Sequence, residues 1–119
     1  MSHSICVIST RAPYHGQFAR EALDVALVSA SYDLETHLLM MGDGVYQLVK
    51  GQDSNSIDRK NLSSMLQALP LYGVDEIHVD QTSLDERGLS LDDLQESVTV
   101  LSADELPLFI QQHCRVVNF

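Results

Sequence analysis

The sequence predicts an α/β fold, a mainly parallel sheet with helices on both faces, and three observations carry that prediction. Five short apolar runs, several rich in β-branched residues, read as buried strands. The segments between them place apolar residues at helical spacing or carry helix-start patterns. The connections are short and no internal sequence repeat is present, so strand and helix simply alternate, as right-handed crossovers require. At 119 residues the chain is sized for one domain, residues 1–119. With 45% hydrophobic residues it can form a packed core without disulfides or metals.

The first strand is Ser4–Ser9, ended by the turn Arg11-Ala12-Pro13-Tyr14-His15-Gly16. From Gln17 to Ser31 the period becomes helical. Phe18, Ala19, Ala22, Leu23, Ala26, Leu27 and Ala30 share one face and polar residues form the other; only Val28 breaks the pattern. Glu35–Met41 is the second strand, closed by Gly42-Asp43-Gly44, with one helical turn expected over Val45–Val49. Gly51–Ser56 is polar and linker-like, and Ser56 can cap a helix carrying Leu62, Met65, Leu66 and Leu69, ended at Pro70 and Gly73. Asp75–Val79 is the third strand and Gln81–Arg87 a short helix stopped by Gly88. Ser90-Leu91-Asp92-Asp93 starts another short helix, and Ser97–Leu101 is the fourth strand. Ser102-Ala103-Asp104-Glu105 matches a capping box, with Asp104 an equally good cap because Pro107 belongs in a first turn. That helix runs to about His113, and Cys114–Phe119 is the fifth strand.

Charge excludes one class of partner. Lys plus Arg number 7 against 17 Asp plus Glu, a formal net charge of -10. Nucleic-acid binding needs clustered cations, and nothing denser than Arg59-Lys60 is present. The same charge opposes an anionic membrane surface. No signal peptide and no run of about 20 apolar residues is visible, so the expected location is cytoplasmic.

In a parallel sheet functional groups gather at the carboxyl ends of the strands. Three loops are thereby candidates: Ser9–Gly16, Gly42–Tyr46 and Asp80–Gly88. The first has one glycine and no phosphate-binding fingerprint, although Arg11 with the following helix start can meet an anion. Of the five histidines, none has metal-ligand spacing; His37 and His78 read as sheet-face residues, and His15 as the exposed one. No metal or other cofactor is expected. Asp43 and Asp80 each follow a strand, but Ser9-Thr10-Arg11 lacks the acidic residues of a receiver-type magnesium site, so both read as turn and cap residues. A sulfur nucleophile needs a thiolate at a loop or helix start; Cys6 and Cys114 both fall within strands and read as structural.

Six segments resemble the TusC/DsrF branch of the DsrE/DsrF/DsrH family in order and spacing. They are Val7–Gly16, Arg20–Asp24, Gly42–Leu48, Leu71–Gly73, Ser83–Leu89 and Val116–Phe119, and they span nearly the whole chain. The resemblance implies a three-layer α/β/α sandwich with a five-stranded, mostly parallel sheet. It implies assembly with TusB-like and TusD-like subunits into a heterohexamer that takes persulfide sulfur from a cysteine-desulfurase relay. That sulfur goes toward 2-thiolation of the tRNA wobble uridine, or serves dissimilatory sulfur oxidation in the DsrF-type case.

One departure matters. TusD-like chains, and some TusC-like chains, carry a cysteine eight residues before the glycine matching Gly88, and here that position is Asp80. A carboxylate holds no sulfane sulfur, so the expectation is a non-catalytic subunit. Arg11, Tyr14, His15, Asp43, Asp80, Asp85 and Arg87 are the loop residues expected beside a partner's site. Val45, Tyr46, Leu71 and Tyr72 are the interface candidates, with Tyr14 beside them. Two rival readings are a sulfur carrier using Cys6 or Cys114 and a flavodoxin-like small-ligand module.

Overall fold

The computed structural model describes residues 4–11, 18–32, 34–49, 66–74, 77–94, 98–113 and 115–119. Five strands form one sheet in the order β4-β3-β2-β1-β5, every pairing parallel. They are β1 Ser4–Ser9, β2 Glu35–Met40, β3 Ile77–Asp80, β4 Val98–Leu101 and β5 Arg115–Asn118. Among the described residues the helices are α1 Phe18–Ser31, α2 Gln81–Glu86 and α3 Glu105–Gln111, residues 66–68 are also helical, and 3₁₀ segments lie at Gly42–Leu48, Leu69–Tyr72 and Leu91–Asp93.

Chain direction explains the layers. From β1 to β4 the strands step one way across the sheet, and the return to β5 steps the other way past β1. Right-handed crossovers then place the connecting segments of the first three steps on one face and α3 on the opposite face. Packing follows this division. Ile5, Val7, Leu38, Met40, Ile77 and Val79 face α1 through Ala22, Leu23 and Ala26, with Leu48, Leu66, Leu69 and Leu84 completing that core. Cys6, Ile8, Leu39 and Leu101 face Phe109 of α3 in a smaller cluster. All six residues of β1 are buried, because the central strand is covered on both sides. Each fully buried leucine contributes about 2–3 kcal/mol, so most of the apolar stabilisation lies on the α1 face.

The strand expectations hold to within one or two residues. Val28, the residue that broke the helical pattern, is exposed. At Ser102 the capping box forms: the Glu105 amide donates to Ser102 Oγ at 3.3 Å and the Ser102 amide to Glu105 Oε1 at 3.0 Å. Asp104 makes no side-chain cap bond, so Ser102 is the cap. Gly73 closes Leu69–Tyr72 at φ 94, a left-handed conformation that suits glycine.

Two expectations are corrected. The Gly42-Asp43-Gly44 turn is already 3₁₀ helix, which runs from Gly42 to Leu48. Residues three apart in a 3₁₀ helix share a face, so Val45 and Leu48 both turn into the core. Val45 is fully buried and drops out of the interface candidates. Pro13, Tyr14, His15 and Gly16, the Gly51–Ser56 linker with Leu62 and Met65, and Cys114 lie outside the described residues.

Candidate functional site at the carboxyl edge of the sheet

The carboxyl ends of β1, β2 and β3 are laced together by side chains. β3 ends at Asp80, buried at 6% exposure, and α2 starts with the next residue. One turn on, Ser83 donates its hydroxyl proton to Asp80 Oδ2 at 2.7 Å. Ser83 Oγ in turn accepts the Gly42 amide at 2.9 Å. Ser83 therefore ties the end of β3 to the loop after β2. Asp80 Oδ1 is buried and has no hydrogen-bond partner among the described residues.

Arg87 fastens the outer side of the same joint. Its Nη2 and Nε donate to Asp43 Oδ1 at 2.9 and 3.2 Å, and its Nη1 to the Ser83 carbonyl at 3.1 Å. The guanidinium carbon stands 5.9 Å from the Tyr46 ring centroid, within cation–π range. Glu86 lies 3.6 Å from Nη1. A planar five-donor group suits such a multiple contact better than an ammonium would. Arg87 is thus committed to the protein's own acceptors.

The loop after β1 is held from the other side. Gln47, almost fully buried, donates from Nε2 to Ser9 Oγ at 2.7 Å and to the Arg11 carbonyl at 3.1 Å. A Cβ on Gly44 would stand 2.0 Å from the Ser9 carbonyl oxygen, so the 3₁₀ segment lies flush on the end of β1 and only glycine fits there. The Thr10 amide and hydroxyl both donate to the Phe119 carbonyl, at 2.9 and 2.7 Å, anchoring the chain end to this edge.

The comparisons agree with this frame. The model of the DsrE/DsrF-like family matches residues 3–119. The chain belongs to that family. A protein TusC homolog of Pseudomonas aeruginosa is 41% identical over 118 residues, 99% of each chain. The intracellular sulfur oxidation protein DsrF of Allochromatium vinosum is 45% identical over 89 residues, covering 75% of this chain and 65% of that one. The crystal structure of the ychN protein from E. coli superposes with a TM-score of 0.83 at 24% identity, over 98% of this chain and 99% of that one; this likeness concerns the fold.

Of the loop residues expected from the sequence of this DsrE/DsrF-like chain, the structure joins Asp43, Asp80 and Arg87 into one network. The Arg11 carbonyl accepts from Gln47 in the separate contact at the end of β1. Asp85 does not: it accepts from Gln81 Nε2 at 2.7 Å on the exposed side of α2. Tyr46 is half-buried beneath Arg87, while Leu71 and Tyr72 are exposed well away in sequence. Ser83 and Gln47, which do the joining, were not singled out. Ser83 is readable afterwards, as the residue three beyond Asp80 on a helix start.

On the opposite face, three histidines share space with Phe109. The His37 ring centroid lies 4.7 Å from His113 and 5.6 Å from His78, and Phe109 lies 4.3 Å from His78. Among the described residues no group of three His, Cys, Asp or Glu is arranged to hold a metal ion. His37 and His78 are sheet-face residues, as their alternation implied. Cys6, aligned with His37 in the β1–β2 register, is fully buried, and that burial pushes its thiol up to about 11. At pH 7 roughly one molecule in ten thousand then carries the thiolate that nucleophilic chemistry requires. Among the described residues no helix is long and apolar enough to cross a membrane.

Proposed function

We propose that this chain is a non-catalytic subunit of a TusBCD-type sulfur-relay complex. It positions a TusD-like subunit that carries persulfide sulfur, within a heterohexamer that also holds a TusB-like subunit and draws on a cysteine-desulfurase relay. The sulfur passes toward 2-thiolation of the tRNA wobble uridine, in the cytoplasm, and the tRNA is met by a partner. The names of the relatives, TusC homolog and intracellular sulfur oxidation protein DsrF, support the sulfur-relay reading.

The observation that carries the non-catalytic part is Asp80. At the position where TusD-like chains carry their cysteine stands a buried carboxylate bonded to Ser83. It has no sulfur to load. The described thiol, Cys6, is sealed between the sheet and α3 and strongly disfavours its thiolate.

The test is co-expression with TusB-like and TusD-like subunits, followed by mass spectrometry of each chain after incubation with a sulfur-loaded donor. The expected result is a stable mixed complex with added sulfur on the TusD-like chain alone. Failure to co-purify with folded partners, or turnover of sulfur on Cys6 or Cys114, overturns the reading. A second destination, sulfur oxidation, is favoured by the 45% identity to DsrF. Thiolated tRNA measured in cells lacking the gene separates the two: loss of 2-thiouridine supports the tRNA route, and unchanged 2-thiouridine supports the other.

A further inference from the structure

The amino edge of the sheet, opposite the edge just described, carries several exposed apolar side chains on two elements that touch each other. α1 runs back against the strands and ends there at Ser31, and its carboxyl end is closed by Tyr32 and Leu34 amides donating to the Ser29 carbonyl, each at 3.2 Å. The 3₁₀ segment Leu69–Tyr72 packs against α1 and leads into β3, so it reaches the same edge. Leu69 faces inward and is fully buried. The residues around it do the reverse: Leu71 is 86% exposed, Tyr32 76%, Val28 55%, Tyr72 51% and Leu34 39%. A short loop and a helix end presenting two tyrosines and three aliphatic residues to water is costly unless something covers them. Tyrosine is a frequent anchor of such contacts.

Charge says what covers them. No Lys or Arg occurs from residue 21 to 49 or from 61 to 86, the segments that supply this edge. Asp24 stands one helical turn before Val28, and Glu35, also exposed, follows Leu34. In sequence, Asp33 lies between Tyr32 and Leu34, and Asp75 and Glu76 follow Val74. Arg115, the described cation at this end of the sheet, begins β5, two strands from β2. Among the described residues the patch thus has Asp24 and Glu35 beside it in the chain, on a protein of net charge -10. Two copies meeting there would oppose like charges, whereas a basic rim would be attracted.

We infer that the patch formed by Val28, Tyr32, Leu34, Leu71 and Tyr72 is the docking surface for a different protein subunit, one whose apolar contact is rimmed by Lys and Arg. The inference rests on the proposed role as an assembling subunit and names the surface that role uses. Leu71 and Tyr32 are its outermost members.

The test measures association of the full chain with the TusB-like and TusD-like subunits, using the wild type and Leu71→Glu, Leu71→Lys, Tyr32→Asp and Leu108→Asp. Leu108 is an exposed residue of α3 on the other layer and serves as a control. All three sites are exposed, and circular dichroism checks folding of the four variants. The expected result is at least about tenfold weaker association for the Leu71 and Tyr32 variants. Leu108→Asp should match the wild type. Leu71→Lys should be worse than Leu71→Glu, because lysine faces a basic rim, and wild-type association should weaken as salt rises. Wild-type assembly that survives Leu71→Glu and Tyr32→Asp overturns the surface and leaves the subunit role standing. No assembly by the wild type overturns both. Equal effects of Leu71→Lys and Leu71→Glu, or self-association of the chain alone that these variants abolish, overturns the basic partner.

Discussion

Arg87 meets Asp43 at 2.9 Å across 44 residues of sequence, joining the end of α2 to the first turn of the 3₁₀ segment after β2. The carboxylate is half in water, which limits a simple ion pair to about 0.2–1 kcal/mol. Geometry is what the contact supplies: three guanidinium nitrogens are used, one of them on the Ser83 carbonyl. A double-mutant cycle of Asp43→Ala and Arg87→Ala, followed by urea unfolding, should give a coupling of about 0.5–1 kcal/mol. Arg87→Lys should recover less than half of it, because one ammonium cannot span both acceptors. A coupling indistinguishable from zero would mean that the two groups sit together without holding the joint.

Asp80 is expected to matter for stability and not for transfer. Asp80→Ala leaves the Ser83 hydroxyl without its acceptor in a buried setting, which costs about 1–3 kcal/mol. Asp80→Asn keeps an oxygen for Ser83 and should cost less. Urea titration of both variants checks the order. In the assembled complex each should transfer sulfur at close to the wild-type rate. Assembly that persists while transfer is lost would give Asp80 a chemical role.

How much of this was legible depends on the range of the interaction. Strand and helix positions were readable because alternation, helical spacing, Gly73 and the Ser102–Glu105 pair act within a few residues. Asp43, Asp80 and Arg87 were placed at the right edge because parallel strands put their carboxyl ends together. Their pairing was not readable: the Asp43–Arg87 contact depends on β2 lying beside β3, which is set by the whole sheet. Asp85 was grouped with Arg87 because both fall in the segment after the third strand. Residues two apart on a helix point in different directions, and Asp85 pairs with Gln81 at the i,i+4 spacing instead. The three-histidine cluster was hidden for a similar reason, since it needs β2, β3 and α3 brought together.

Cys6 should make the protein sensitive to alkali. Burial raises its thiol from 9.0 to about 11, so between those values the unfolded chain releases a proton that the folded chain keeps. Folding stability contributed by Cys6 is full below about pH 9 and falls as pH rises toward 11, by about 2–3 kcal/mol in all. Urea unfolding at pH 8, 9 and 10 for wild type and Cys6→Ala, both in a Cys114→Ser background, isolates this component. The wild-type curve should fall more steeply above pH 9. Parallel curves would show that Cys6 ionises as easily folded as unfolded.

His113 should set an opposite, acid-side limit. Desolvation first, then the neighbouring His37, hold its pKa below 6.5, against a weaker opposing pull from Glu35. Both ring nitrogens are buried without a hydrogen-bond partner among the described residues, so a proton there gains little and loses water. The unfolded chain protonates His113 near pH 6.5 while the folded chain resists. The resulting stability is present above that pH and is lost as pH falls through the lower folded value. His113→Gln removes the titrating group, so its stability should fall less between pH 7 and pH 5 than that of the wild type. The His113 ring proton resonance should titrate below 6.5 in the folded protein. A midpoint at or above 6.5, with an unchanged acid limb in His113→Gln, would show that the ring takes up its proton without cost beneath α3.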